Sequence, residues 1–306
     1  MVVKPRKLAS GDTIRIVSPA SPLLPEKTDF VRDLLVKEGY QVEFAESCFA
    51  RDHYLAGIDQ QRAKDLMDAF ADPNVKAVLC SRGGYGCARL IPHLDLDAIA
   101  ASGKMFLGFS DITTLHIALN NRGLPTVHSP MPLTLAYPRE SWVHASFLAS
   151  LKGDTTVDPD APKGTAMVSG IAEGMLVGGC LCLICDSIGT PNSIDVDGRI
   201  LLIEDVDENP HRIDAMLTHL LNAGIVQKAA GILIGEMTRS DERQDEGIGG
   251  RPWREIVWDR FGNLGIPLMV DFPFGHNKNM LSLPLGVRVE MDADQGTLTY
   301  KERWCE

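Results

Sequence analysis

From Thr13 to Leu119 the chain alternates apolar runs of strand length with stretches whose apolar residues recur at helical spacing. Thr13 to Val17 reads as a strand, Phe30 to Lys37 as a helix ending near Gly39, and Tyr40 to Phe44 as a second strand. Asp59 to Phe70 is again helical, Val75 to Cys80 is a continuous apolar strand, and Met105 to Leu107 is another. Such repetition predicts a parallel sheet with helices on both faces, whose ligands gather at the carboxyl ends of the strands. With 306 residues the chain is long enough for two packed cores rather than one.

One strand end carries a hydroxyl. Phe106-Leu107-Gly108-Phe109-Ser110-Asp111-Ile112 leads directly into the amphipathic run Thr113 to Leu119, which sets Ser110 on a strand-to-helix corner. A serine there projects its oxygen above the sheet edge, and backbone N–H groups of the opening helical turn point toward any oxyanion formed beside it. Serine is a poor nucleophile at its free pKa, so this reading requires a base and an orienting carboxylate elsewhere in the chain.

Arg82-Gly83-Gly84-Tyr85-Gly86 follows another strand and lets backbone approach a ligand closely. Its spacing is that of neither GxxxxGK[ST] nor GxGxxG, so it reads either as an oxyanion-donor loop or as a plain tight turn. The polar run 152–164, with two prolines, suits a linker between domains at 1–151 and 165–306. Beyond it lie an apolar segment from Met175 to Ile188, a strand Arg199 to Ile203, a helix Ile213 to Leu221 and a strand Gly231 to Ile234. Arg239 to Arg251, rich in glycine and charge, reads as a mobile loop.

Glu204 ends the strand Ile200-Leu201-Leu202-Ile203 and is the candidate orienting acid. Asp205-x-Asp207-x-Asn209 does not make a calcium loop, because Pro210 stands where glycine is needed. Asp205, Asp207 and Glu208 are therefore expected to be solvated. Among eight histidines, His276 sits in the loop-like Phe274-Gly275-His276-Asn277 and is the candidate base, with His128 after a short strand as its competitor. His116, His144 and His219 fall on helical patterns and read as structural.

Lys plus Arg number 30 against 41 Asp plus Glu, a net charge of −11, which opposes binding to nucleic acid or anionic membrane. No apolar run near the start is long enough for a signal-peptide core or a membrane span, so a cytoplasmic protein is expected. Seven scattered cysteines form no disulfide framework. Cys180-x-Cys182-x-x-Cys185 lies in an apolar run with no second cluster to complete four ligands, and reads as small buried side chains rather than a metal site.

Taken in order, Leu8-x-x-Gly11-Asp12 with Val17-Ser18-Pro19-Ala20-Ser21-Pro22, Tyr54 to Gly57 with Arg62, Arg82 to Gly86, Gly108 to Asp111, Gly178-Gly179, Ile203 to Val206, and Gly275-His276 before Leu283 to Gly286 resemble the LD-carboxypeptidase family of serine peptidases. That family includes the murein tetrapeptide carboxypeptidases and the microcin C immunity peptidases. The resemblance covers nearly the whole chain. It implies an α/β first domain with a flavodoxin-like or amidotransferase-like sheet, a second mainly β domain supplying acid and base, an active site between the domains, and a homodimer.

Residue by residue, the resemblance puts the nucleophile on Ser110, the acid on Glu204 and the base on His276, and removes His128 from the triad. It implies oxyanion donors at the backbone N–H groups of Gly84 and Asp111, with no metal and no cofactor. Arg82 would hold the substrate's free carboxylate or else pair with an aspartate. The implied reaction releases terminal D-alanine from murein tetrapeptides in peptidoglycan recycling. The alternative within the family is hydrolysis of aminoacyl-nucleotide amides. An α/β-hydrolase esterase is disfavoured by Ile112 two residues after the serine, and a non-catalytic muropeptide sensor by the intact triad. Cys180 and Cys182 replace the family's usual asparagine and serine or threonine, and Asn192 a frequent tyrosine, changes that bear on substrate preference.

Overall fold

The computed structural model describes residues 3–157, 159–244, 247, 249–278 and 280–306. Its strands are β1 (Thr13–Val17), β2 (Gln41–Phe44), β3 (Val75–Cys80), β4 (Met105–Gly108), β5 (Thr126–His128), β6 (Thr165–Val168), β7 (Ile171–Cys180), β8 (Ile200–Val206), β9 (Gly231–Thr238), β10 (Leu268–Val270), β11 (Leu283–Leu285), β12 (Arg288–Asp292) and β13 (Thr297–Tyr300). They form two sheets, ordered β11-β5-β4-β3-β1-β2 and β13-β12-β7-β8-β9-β10-β6.

The first unit comprises Met1–Asp158, Leu281–Gly286 and Arg303–Glu306. Strands β1 to β5 are parallel, as the strand and helix alternation predicts. The four residues of β4 are all buried, as expected of a central strand covered on both faces. The helix Asp59–Ala71 buries Arg62, Ala63, Leu66, Ala69 and Phe70, the helical spacing read from the sequence. Strand β11 pairs antiparallel with β5 at the sheet edge, where Pro284 costs no ladder bond on a neighbouring strand. The chain's last third thus contributes two short segments to this unit, which a single cut at the linker does not anticipate.

The second unit comprises Pro159–Met280 and Val287–Glu302. Its central strands β7, β8, β9 and β10 are parallel, flanked by antiparallel β6 on one side and β12 and β13 on the other. The apolar run Met175 to Ile188 divides at Cys180 into the end of β7 and the helix Leu181–Ser187. Of the loop 239–251, residues 245, 246 and 248 lie outside the described residues. Its first part is held down, since Arg239 and Arg243 both pair with Asp207. Among the described residues no helix is long and apolar enough to cross a membrane.

Candidate active site

In the first unit, β4 runs through Gly108 and the extended Phe109 into a single 3-10 turn, Ser110–Ile112, and then into the helix Thr113–Asn120. Ser110 has φ +65°, a left-handed conformation that costs an L-residue about 1–2 kcal/mol. Surrounding contacts hold the corner. The Gly108 carbonyl accepts from Ser129 N–H and lies 2.9 Å from His116 Nε2. Burial pushes the His116 pKa down to about 3, so the ring is neutral; Nε2–H donates to Gly108 and Nδ1 accepts from Thr126. His116 is structural, as its helical position implies. His128 is fully buried and packs its ring 5.6 Å from that of Phe109.

The Arg82 to Gly86 loop is tied to the same corner. Cys87 N–H donates to the buried Asp111 carboxylate at 2.8 Å. A methyl group on Gly83 would lie 2.7 Å from Ser110 Cβ and 3.3 Å from the Asp111 nitrogen. Only a residue without Cβ lets this loop approach the serine, and Gly83 is a positioning residue that the sequence reading passed over in favour of Gly84. Its signal was the paired glycine itself. Gly84 is exposed on the same loop. Half-buried Arg82 donates to the Gly83 carbonyl at 3.3 Å, and among the described residues it makes no ion pair, so of its two alternative roles the pairing with an aspartate is not formed.

In the second unit, β8 delivers Glu204, fully buried, to its carboxyl end. His276 Nδ1 lies 2.6 Å from Glu204 Oε2, and the His276 backbone N–H donates to the same oxygen at 3.2 Å. Gly275, at φ +96°, makes the pairing possible: an added Cβ would fall 2.7 to 2.9 Å from Glu204 Oε2, Cβ and Cγ. Burial lowers the His276 pKa, but the charge and hydrogen bond of Glu204 outweigh it, leaving the imidazole above its ordinary 6.5. Nδ1 faces the carboxylate, which leaves Nε2 on the opposite side of the ring.

Asp205 departs from the expected solvation. Strand β8 lies between β7 and β9 and is buried at every position from Ile200 to Asp205, so both consecutive carboxylates are covered and Asp205 is 2% exposed. Burial, then the neighbouring Glu204 charge, pushes its pKa up to about 6, against hydrogen bonds from the N–H groups of Val206 and Cys182. Asp207 is likewise paired rather than solvated, with two arginines holding its carboxyl below the usual range.

Residues 14–129 match the family model described as the LD-carboxypeptidase N-terminal domain, and residues 173–291 match that of the LD-carboxypeptidase C-terminal domain. A Streptomyces coelicolor protein assigned as a carboxypeptidase is 39% identical over 306 residues, spanning 97% of this chain and 96% of its own length. The crystal structure of muramoyltetrapeptide carboxypeptidase from Oxalobacter formigenes superposes with a TM-score of 0.79 at 28% identity, over 94% of this chain and 97% of that one. The microcin C7 self-immunity protein MccF, solved in complex with aspartyl sulfamoyl adenosine, gives a TM-score of 0.87 at 24% identity over 99% of each chain, a likeness of fold.

Proposed function

Because the chain belongs to the LD-carboxypeptidase family, we propose that it is a serine carboxypeptidase releasing terminal D-alanine from murein tetrapeptides. The observation that carries this reading is the Glu204–His276 pair at 2.6 Å, an imidazole fixed through Nδ1 with its basicity raised. In the proposed reaction His276 Nε2 takes the Ser110 hydroxyl proton as Oγ attacks the carbonyl joining the diamino acid to D-alanine. The tetrahedral oxyanion is held by the backbone N–H groups of Gly84 and Asp111, each contributing about 3 to 4 kcal/mol. Nε2–H then protonates the departing amine of D-alanine, and water, deprotonated by the same nitrogen, hydrolyses the acyl enzyme. Arg82, half-buried without a carboxylate partner among the described residues, receives the free carboxylate of the leaving residue.

In this reading residues 1–151 supply the nucleophile and residues 165–306 the acid and base. The place of action we infer is the cytoplasm, in peptidoglycan recycling. Seven scattered cysteines with no disulfide framework in their spacing suit a reducing compartment. The homodimer rests on the family resemblance, and light scattering measures it.

The test is D-alanine release from L-Ala-γ-D-Glu-meso-diaminopimelate-D-Ala, followed by mass spectrometry for wild type and Ser110→Ala. Release by wild type alone supports both reaction and nucleophile. Equal release from both removes Ser110 from the mechanism, and no release from folded wild type redirects the search to aminoacyl-nucleotide amides.

A further inference from the structure

Beside the Glu204–His276 pair, three donor atoms that the proposed reaction does not use converge on one point. Cys180, the last residue of β7, stands opposite Glu204 in the strand register. Its Sγ is 3.4 Å from Cys182 Sγ and 3.4 Å from Asp205 Oδ1, and Cys182 Sγ is 4.0 Å from that same oxygen. Zinc binds sulfur at about 2.3 Å and carboxylate oxygen at about 2.0 Å, so a tetrahedral centre separates such donors by about 3.5 to 3.8 Å. The three observed separations lie within about half an ångström of those edges.

We propose that Cys180, Cys182 and Asp205 form a binding site for a thiophilic divalent cation of the zinc class, with water in the fourth position.

The arrangement is aimed as well as compact. Asp205 Oδ2 accepts the Cys182 backbone N–H at 2.9 Å, which turns Oδ1 toward both sulfurs. Cys180 and Asp205 are buried, whereas Cys182 is partly exposed and gives the ion a route from solvent. Two sulfurs favour zinc over magnesium or calcium, which prefer all-oxygen shells. Cys185 lies apart from the cluster, its Sγ 3.6 Å from the Met216 carbonyl. The donor that the sequence motif lacked is Asp205, which β8 brings beside the thiols at the end of β7. On binding, both thiols lose their protons to solvent, the carboxylate contributes its charge, and no electron moves.

The test uses the full chain, kept reduced with a phosphine, and Co2+ as the spectroscopic probe. Wild type should saturate at a single equivalent with a thiolate-to-cobalt charge-transfer absorption and tetrahedral d–d bands, and Zn2+ should displace the cobalt. The charge-transfer intensity should fall by about half in Cys180→Ser and in Cys182→Ser, with affinity lowered more than about tenfold in each. Circular dichroism accompanies each variant, and Cys182→Ser, at the more exposed position, keeps the test decisive if Cys180→Ser does not fold. Folded wild type without a charge-transfer band overturns the site. So does a folded Cys182→Ser protein that binds Co2+ with undiminished affinity and band intensity. These readouts do not depend on peptide hydrolysis, so failure of the site and failure of the proposed function are separable.

Discussion

Ser110 is held in a backbone conformation, and His276 at a basicity, that neither would adopt alone, and at each the surroundings supply the difference. The serine is left-handed at φ +65°, a strain that packing around Gly108 and the Asp111–Cys87 hydrogen bond must offset. The histidine is partly buried, and that desolvation alone would make it a weaker base, but the adjacent Glu204 carboxylate reverses the direction. In the proposed reaction only neutral imidazole can accept the Ser110 proton, so kcat/KM should rise with pH through a pKa above 6.5. Glu204→Gln should move that acid limb to lower pH and cut kcat by about 10³- to 10⁴-fold. A pH–rate profile of both proteins checks this, and an unmoved limb would separate Glu204 from the titrating group. The same pair contributes to folding with the opposite pH sense. Its folded pKa is raised, so the stabilisation is complete below the unfolded value of 6.5 and is lost as pH rises through the folded pKa.

At the scale of elements, two glycine turns do comparable work by different physics. Gly83 needs only space, since its added Cβ would meet Ser110, whereas Gly275 needs both space and a positive φ. Gly83→Ala should lower kcat/KM by about a hundredfold through displacement of Ser110, the proposed nucleophile, as a misplacement of about 1 Å does, while the His276 pKa stays where it is. Gly275→Ala should cost about 1–2 kcal/mol in backbone strain and let the His276 pKa fall toward 6.5 as the Glu204 contact opens. Imidazole titration by NMR distinguishes the two, and a raised pKa surviving in Gly275→Ala would refute the positioning role. Much of this level was legible beforehand, because strand β3, the helix Asp59–Ala71 and the corner after β4 announce themselves by period and by Gly-x-Ser. The burial of Asp205 was not, since a strand covered on both faces buries consecutive residues while a run of acids reads locally as solvated. Nor was the break at Cys180, because a buried strand and a buried helix in one apolar run carry no contrast.

For the molecule as a whole, two dense cores follow from length and alternation, but which residues belong to which core does not follow from order along the chain. A three-residue strand containing proline gives almost no sequence signal, yet β11 closes the edge of the first sheet beside β5. The last four residues join the same unit: Trp304 is fully buried, Glu306 N–H donates to the Pro5 carbonyl at 2.8 Å, and Lys7 N–H donates to the Glu306 carbonyl at 2.7 Å. A fragment ending at residue 158 therefore leaves the β5 edge unpaired and opens the cavity that Trp304 fills. Removing a buried tryptophan side chain costs about 3–5 kcal/mol, and a domain's whole stability is about 5–15 kcal/mol. The fragment should consequently lack a cooperative thermal transition, bind a hydrophobic dye and expose β5 amides to rapid hydrogen exchange. Trp304→Ala in the full chain should show a milder form of the same defect, with faster exchange in the first unit and little change in β8 and β9, which belong to the other unit. A fragment that melts cooperatively near the temperature of the intact protein would mean that residues 1–158 fold without these segments, and the first unit would then need no closure by the chain's end.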